Sequence, residues 1–159
     1  MNKLFSLVVV FVVFFTGCRK EENLATAVKI VSEYGTYHGM RKAEMTDDRA
    51  KYVEEGVRVA LQVLRNESVD DFVDVDKVLN VLPAEIRPFI AEAIAAVDKR
   101  FVKLKGKIPT GQAFYLEAIL WGAFDGTERY RRTLGMTVQT VDDVDLEAQY
   151  QEAKRKLDI

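Results

Sequence analysis

The chain has 159 residues, a formal net charge of −2, one histidine and one cysteine. This length is enough for one domain with a sizeable core. The slightly acidic balance argues against a nucleic-acid partner, which would need a concentrated basic face. A single cysteine excludes an intramolecular disulfide, so the core alone must stabilise the domain.

The first seventeen residues have the pattern of a secretory signal peptide. Lys3 precedes a run from Leu4 to Phe15 in which only Ser6 is polar. As a helix this run spans roughly 18 Å, which is too short to cross a hydrocarbon core of about 30 Å comfortably. A basic start followed by a short apolar run and a small residue is typical of a cleaved export signal. The alternative, a short buried core helix, is disfavoured because the run has no polar face to turn toward water.

The end of this segment is more specific. Phe15-Thr16-Gly17-Cys18 resembles the lipobox of bacterial lipoproteins, with Phe15 where that family usually has Leu. The resemblance implies that residues 1–17 are removed and that Cys18 carries a diacylglycerol and often a further acyl chain such as palmitate. Two or three acyl chains anchor a protein to a membrane stably. The alternative for Cys18 is a buried thiol with no lipid.

The resemblance also predicts where the protein works. Lipoproteins retained at the inner membrane of Gram-negative cells typically have Asp after the cysteine, whereas this chain has Arg19. We therefore expect lipid anchoring in the bacterial cell envelope, with the periplasmic face of the outer membrane favoured if the host is Gram-negative.

Cleavage leaves 142 residues with 22 basic and 25 acidic side chains, a net charge of −3. Residues 18–23 form a short tether, because the chain from Cys18 to Leu24 extends at most about 20 Å. The pattern then predicts one small all-α domain of four to five helices over residues 24–135, followed by a charged C-terminal tail, residues 136–159.

The first helical segment is the least certain. Apolar residues from Leu24 to Tyr34 follow helical spacing, but β-branched residues and two glycines, Gly35 and Gly39, weaken the pattern. Residues 27–38 therefore fit either a helix or a strand.

Three further helices are predicted before residue 106. Thr46 or Asp47 caps the first of them, and Ser68 caps the second. Pro83 and Pro88 bracket a turn before the third, which is predicted to continue to Lys105. The last turns of this third helix begin a basic cluster consisting of Lys99, Arg100, Lys103, Lys105 and Lys107. The cluster is a candidate membrane-surface contact for anionic lipid headgroups, and a solvated helix end explains it equally well.

The segment from Ala113 to Phe124 has one charge, Glu117, among large apolar residues that include Trp121. A helix that is apolar almost all round is a central one, and core packing is favoured over binding of a partner helix. Asp125-Gly126 predicts a turn. The tail after Gly135 has six acidic and three basic residues and few large apolar ones, which predicts a peripheral segment with a short amphipathic helix.

Residues suited to catalysis are sparse. His38, in YGTYHGM, is interpreted as a packed or exposed histidine rather than a base, and the chain has no Gly-x-Ser-x-Gly motif or phosphate loop. Asp70, Asp71, Asp74 and Asp76 suggest calcium, but the glycine and the closing glutamate of a calcium-binding loop are missing. We therefore predict no enzyme, no cofactor and no metal site.

These observations predict a membrane-anchored envelope lipoprotein that acts as a non-catalytic interaction module on an envelope protein of unknown identity. The alternative is a phage or prophage superinfection-exclusion lipoprotein, since small, short-tethered helical lipoproteins of that kind block the entry of competing DNA.

Overall fold

The computed structural model describes residues 23–67, 72–97, 107–134 and 141–158. Its elements are α1 (residues 23–42), α2 (Asp47–Glu67), β1 (Phe72–Asp74), α3 (Val75–Asn80), α4 (Arg87–Val97), β2 (Lys107–Pro109), a 3₁₀ helix (Thr110–Gln112), α5 (Ala113–Arg132) and α6 (Val141–Leu157). The all-α prediction is confirmed. Among the described residues, helices α1–α5 agree with the four to five predicted before residue 135, and α6 lies in the tail, where a short amphipathic helix was predicted.

Helix α1 includes the whole of residues 27–38, so the choice between helix and strand is settled in favour of helix. The two glycines that weakened the pattern make room for a neighbour. A Cβ added at Gly39 would lie 2.1 Å from the Phe89 ring, and one at Gly35 would lie 3.6 Å from the Phe89 Cβ. Gly39 therefore makes room for the Phe89 ring of α4, whereas an added Cβ at Gly35 would make only ordinary van der Waals contact.

Helix α2 follows its predicted pattern. The Thr46 hydroxyl accepts a hydrogen bond from the Arg49 amide at 3.4 Å, as expected of a residue that caps a helix. The predicted inner face is buried and consists of Val53, Val57, Ala60, Leu61 and Leu64.

The helix predicted to start at Ser68 is confirmed over Val75–Asn80, but it begins later than predicted. Ser68 lies outside the described residues, and Phe72–Asp74 forms a strand that pairs antiparallel with Lys107–Pro109. Asp74 is the residue that caps α3, since its carboxylate accepts hydrogen bonds from the Asp76 and Lys77 amides. The error arose because Ser and Asp both cap helices, and periodicity alone did not show which residue began the helix.

Helix α4 begins at Arg87, one residue before the predicted end of the turn, and Ile90 and Ile94 of its predicted apolar stripe are buried. Pro88 lies in the first turn of α4, where the missing amide removes no helical hydrogen bond. The predicted continuation to Lys105 falls largely in residues 98–106, which are outside the described residues.

Helix α5 is central, as predicted, with Leu116, Ile119 and Leu120 almost fully buried. The predicted turn at Asp125-Gly126 is wrong, because α5 continues without interruption to Arg132. Gly126 is required by packing: an added Cβ would lie 2.5 Å from the backbone oxygen of Glu33 in α1.

The contacts between α1 and α5 also fix their relative direction. Gly122 lies against Lys29, and Gly126 lies one turn later against Glu33. Since the residue numbers rise together, the two helices run parallel. The start of α1 and the start of α5 therefore lie at the same end of the domain.

The tail forms a real part of the core. Leu146, Ala153 and Leu157 of α6 are 0%, 1% and 3% exposed and belong to the same hydrophobic cluster as the other helices. The expectation of a peripheral segment is wrong for residues 141–157, because overall composition concealed a few apolar residues at helical spacing.

Candidate functional site: the seam between α1 and α6

The residues predicted to contact the membrane are almost all outside the described part of the chain. These are Cys18, Lys99, Arg100, Lys103 and Lys105. Lys107 is described only as the first residue of strand β2. The roles proposed for these side chains therefore remain predictions.

A different group of side chains meets where α6 lies on α1. The ring of Tyr34 stacks on that of Tyr150, with ring centroids 3.8 Å apart and an angle of 3° between the planes. His38 lies one turn further along α1, and its ring centroid is 4.1 Å from that of Tyr34. On α6, the Nζ of Lys154 lies 5.6 Å from the centroid of the Tyr150 ring, within the range of a cation–π contact. We refer to Tyr34, His38, Glu147 and Tyr150 as the α1–α6 seam.

Glu147 links the two helices electrostatically. Its carboxylate accepts a hydrogen bond at 2.8 Å from the Gln151 side chain and another from the Tyr34 hydroxyl. These two hydrogen bonds, with a smaller contribution from His38, hold the pKa of Glu147 below its usual value of 4.5.

Tyr34 is the group most strongly perturbed. Partial burial, followed by the hydrogen bond to the Glu147 carboxylate, raises the pKa of Tyr34 to about 12. The phenol is therefore a neutral hydrogen-bond donor at physiological pH. The seam contains stacked rings and directed hydrogen bonds, and proteins recognise each other through contacts of these kinds.

The surroundings of His38 match the packed histidine that the sequence suggested. Its ring lies between those of Tyr34 and Tyr37, with the Tyr37 contact edge-on at 4.9 Å. Tyr37 is fully buried, and its hydroxyl oxygen accepts a hydrogen bond at 3.0 Å from Arg41. His38 and Glu147 bring a base and an acid to the same seam, and that carboxylate is already bonded to Gln151 and Tyr34.

A second charged region joins α2 to α5. Arg131 forms ion pairs with Asp47 at 2.9 Å and with Glu54 at 2.6 Å. Hydrogen bonds from Lys51 and Arg131 lower the pKa of Asp47. Asp47 and Arg131 also line an open cleft of about 510 Å³ with Glu128 and Arg132. Because Arg131 of α5 forms ion pairs with two carboxylates of α2, this region holds the two helices together.

The outer edge of α5 exposes one large aromatic side chain. Trp121 is 36% exposed, donates a hydrogen bond at 3.3 Å to Glu117, and packs edge-on against Phe124. The rest of the aromatic stretch supplies core residues, as predicted.

Within the described residues, no three histidine, cysteine or acidic side chains are placed to hold a metal ion. Asp74 and Asp76, from the run that suggested calcium, lie at the start of α3, where Asp74 caps the helix. Asp70 and Asp71 are outside the described residues.

Sequence reasoning singled out His38 and missed its partners. The signal that would have found them is the spacing of Leu146, Tyr150, Ala153 and Leu157, at intervals of four, three and four. That spacing gives the tail a narrow apolar stripe. The spacing does not identify the helix against which this stripe packs.

In the described segments, no helix is both long enough and apolar enough to cross a membrane. Comparison of the chain with protein-family models, with curated proteins and with solved structures finds no match.

Proposed function

We propose that this chain is a bacterial envelope lipoprotein, held at the membrane by acyl chains on Cys18, whose helical domain is a non-catalytic binding module for a protein at the same membrane. The proposed anchor rests on the sequence Thr16-Gly17-Cys18, which directly follows a short apolar run with a basic start.

The start of α1 supports a short tether. The described helix begins at residue 23, five residues after Cys18, so the connection spans at most about 18 Å. Because α1 and α5 run parallel, the end of the domain that holds the starts of both helices is the end nearest the anchor. Tyr34 lies eleven residues further along α1, about 16 Å from that end. The α1–α6 seam then lies away from the lipid surface.

The seam supports the binding module. Tyrosine is among the side chains that contribute most to protein interfaces, because it combines a large apolar ring with a polar tip. Anchoring would raise the effective concentration of the module beside a partner on the same membrane, and this strengthens a weak interaction without any new contact.

The anchor is tested by replacing its thiol. Cys18→Ala removes the only cysteine, so the variant should lose metabolic labelling by a fatty acid and accumulate as precursor. Arg19→Ala, at the neighbouring position, is the matched control and should be labelled like the unaltered protein. Equal labelling of the Cys18→Ala chain would contradict lipidation at this residue.

The binding role is tested by a chain that keeps the domain but lacks the anchor. An exported form without Cys18 lipid should fold normally and lose most of its activity at matched abundance. Full activity of this form would show that the lipid serves only for sorting. The short tether and helical domain also fit the exclusion lipoprotein alternative, and challenge of expressing cells with phage distinguishes it, since only that function predicts resistance.

A further inference from the structure

Helix α6 attaches to the domain through one narrow stripe. Leu146, Ala153 and Leu157 are buried, and Tyr150 is partly buried between them. The side chains that lie on the other side of α6 are exposed, and they include Asp145, Gln149, Gln151, Glu152, Arg155 and Lys156. Among the described side chains of α6, residues 144–157, a small number of contact residues therefore holds the helix.

The contacts in this stripe are of the kind found at separable interfaces. Tyr34 and Glu147 are titratable and hydrogen-bonded, and the Tyr34–Tyr150 stack places two amphipathic rings face to face. Interfaces between units that separate are more polar than domain cores and depend on a few aromatic anchors.

We propose that α6 is a displaceable helix that covers a helix-binding face on α1, and that the partner occupies this face with an acidic amphipathic helix of its own. This inference rests on the proposed binding function and names the chemistry of its partner. The partner helix carries apolar or aromatic residues at the spacing of Leu146, Tyr150, Ala153 and Leu157, with a carboxylate at the position of Glu147.

The charges at the seam favour an acidic occupant. At the seam, the Tyr34 hydroxyl and the charge of His38 on α1 both favour the ionised carboxylate of Glu147 on α6. A carboxylate beside Tyr34 accepts its hydroxyl proton in a hydrogen bond, which a basic side chain cannot do. An acidic helix is therefore the occupant that this face already accommodates.

Competition between α6 and the partner sets the apparent affinity. When the binding face is open in only a fraction of molecules, the apparent affinity falls by that fraction. With α6 in place, the domain would bind its partner weakly in solution. It would bind effectively when both proteins are confined to one membrane.

The test uses the full chain purified from membranes and a fluorescent synthetic peptide of residues 141–158 as the probe. The peptide should bind the unaltered chain weakly. Leu146→Ala in the chain removes a fully buried side chain from α6, and the peptide should then bind about thirtyfold more tightly or better. A peptide carrying Tyr150→Ala should lose binding, whereas one carrying Gln149→Ala, an exposed position, should not.

Leu157→Ala is a second variant, which weakens the same stripe at its other end. Like Leu146→Ala, it should make the peptide bind more tightly. Failure of the peptide to bind either folded variant would overturn the proposal. Loss of the whole fold in both variants, seen by circular dichroism, would also overturn it, because α6 would then be an inseparable part of the core. These results do not depend on whether Cys18 is lipidated, so failure of the anchor test and failure of this one are distinguishable.

Discussion

The contacts of α1 with α5 and with α6 differ in what lies between the helices. Against α5, the spacing is set by backbone: Gly122 meets the Lys29 carbonyl, and the buried Ser32 hydroxyl donates a hydrogen bond at 2.7 Å to the Ile119 carbonyl. Against α6, the spacing is set by the rings of Tyr34 and Tyr150. One interface has no room for an added atom, whereas the other is built from side chains that can change rotamer.

The difference indicates that the α1–α5 contact defines the fold and that the α1–α6 contact is adjustable. Ion pairs of Lys29 with Asp125 at 2.6 Å and of Glu33 with Arg129 at 2.8 Å lie one turn apart along the α1–α5 contact. The α1–α6 seam instead depends on the stacked rings of Tyr34 and Tyr150 and on the hydrogen bond from Tyr34 to Glu147. We infer that α1 and α5 form the permanent centre and that α6 is the element free to exchange.

The largest effect is expected from breaking the glycine contact. A Cβ at Gly122 would lie 2.1 Å from the Lys29 carbonyl oxygen, a backbone atom that cannot move aside. Gly122→Val should therefore destabilise the domain by more than about 3 kcal/mol in chemical denaturation. Gly111→Ala is the control, since no atom lies within 4 Å of an added Cβ there, and it should leave stability unchanged or slightly raised. Similar stability of the two variants would contradict the close α1–α5 contact.

A matched pair of leucines separates the two interfaces. Leu120 in α5 and Leu146 in α6 are both 0% exposed, so each Leu→Ala change removes a buried side chain. Leu120→Ala should lower the global free energy of unfolding by about 2–5 kcal/mol. Leu146→Ala should instead expose α6 to limited proteolysis while α5 stays protected. Equal loss of global stability in both would show that α6 belongs to the same cooperative unit as α5.

A smaller change tests the hydrogen bond across the seam. Tyr34→Phe keeps the stack on Tyr150 and removes the hydroxyl that faces Glu147, which should cost about 1 kcal/mol of α6 docking. Tyr52→Phe is the control, because Tyr52 is 65% exposed. A double-mutant cycle with Glu147→Gln should show coupling with Tyr34→Phe. Additive effects would mean that the two groups do not interact.

The smallest effects are those of pH. The folded pKa of Glu147 lies below 4.5, so its contribution to docking is present above about pH 4.5 and is lost as the pH falls through the folded pKa. The pKa of Tyr34 is raised from 10.0 to about 12, so its contribution is present below pH 10 and is lost as the pH rises toward 12. A tyrosinate absorbance titration should lose a component near pH 12 in Tyr34→Phe. An unchanged titration would contradict the environment assigned to Tyr34.

The helices of this fold were largely predictable from apolar spacing, because periodicity reports which side of a helix is buried. The errors came from residues whose meaning depends on a distant neighbour. Asp125-Gly126 predicts a turn, and only the Glu33 backbone beside Gly126 explains a glycine within a helix. Periodicity predicts that Phe72 lies in a helix, whereas it lies in a strand because Pro109 pairs with it.

The candidate site was harder to predict than the fold. His38 stands out in the sequence because it is the only histidine, but Glu147 and Tyr150 are more than one hundred residues away and look like ordinary members of a charged tail. Their meeting with Tyr34 depends on how α6 packs against α1. A periodic apolar stripe predicts that its helix packs against the core. The stripe does not identify the neighbouring helix in that contact.

Native-state hydrogen exchange tests most directly whether α6 opens separately from α5. In the unaltered chain, backbone amides between residues 146 and 157 should exchange through a local opening that is at least about a hundredfold more populated than the opening that exposes residues 119–126 of α5. The exchange of the α5 amides should follow global unfolding. Equal protection of the two helices, with the same dependence on denaturant, would contradict the account, since α6 would then leave the domain only when the whole domain unfolds.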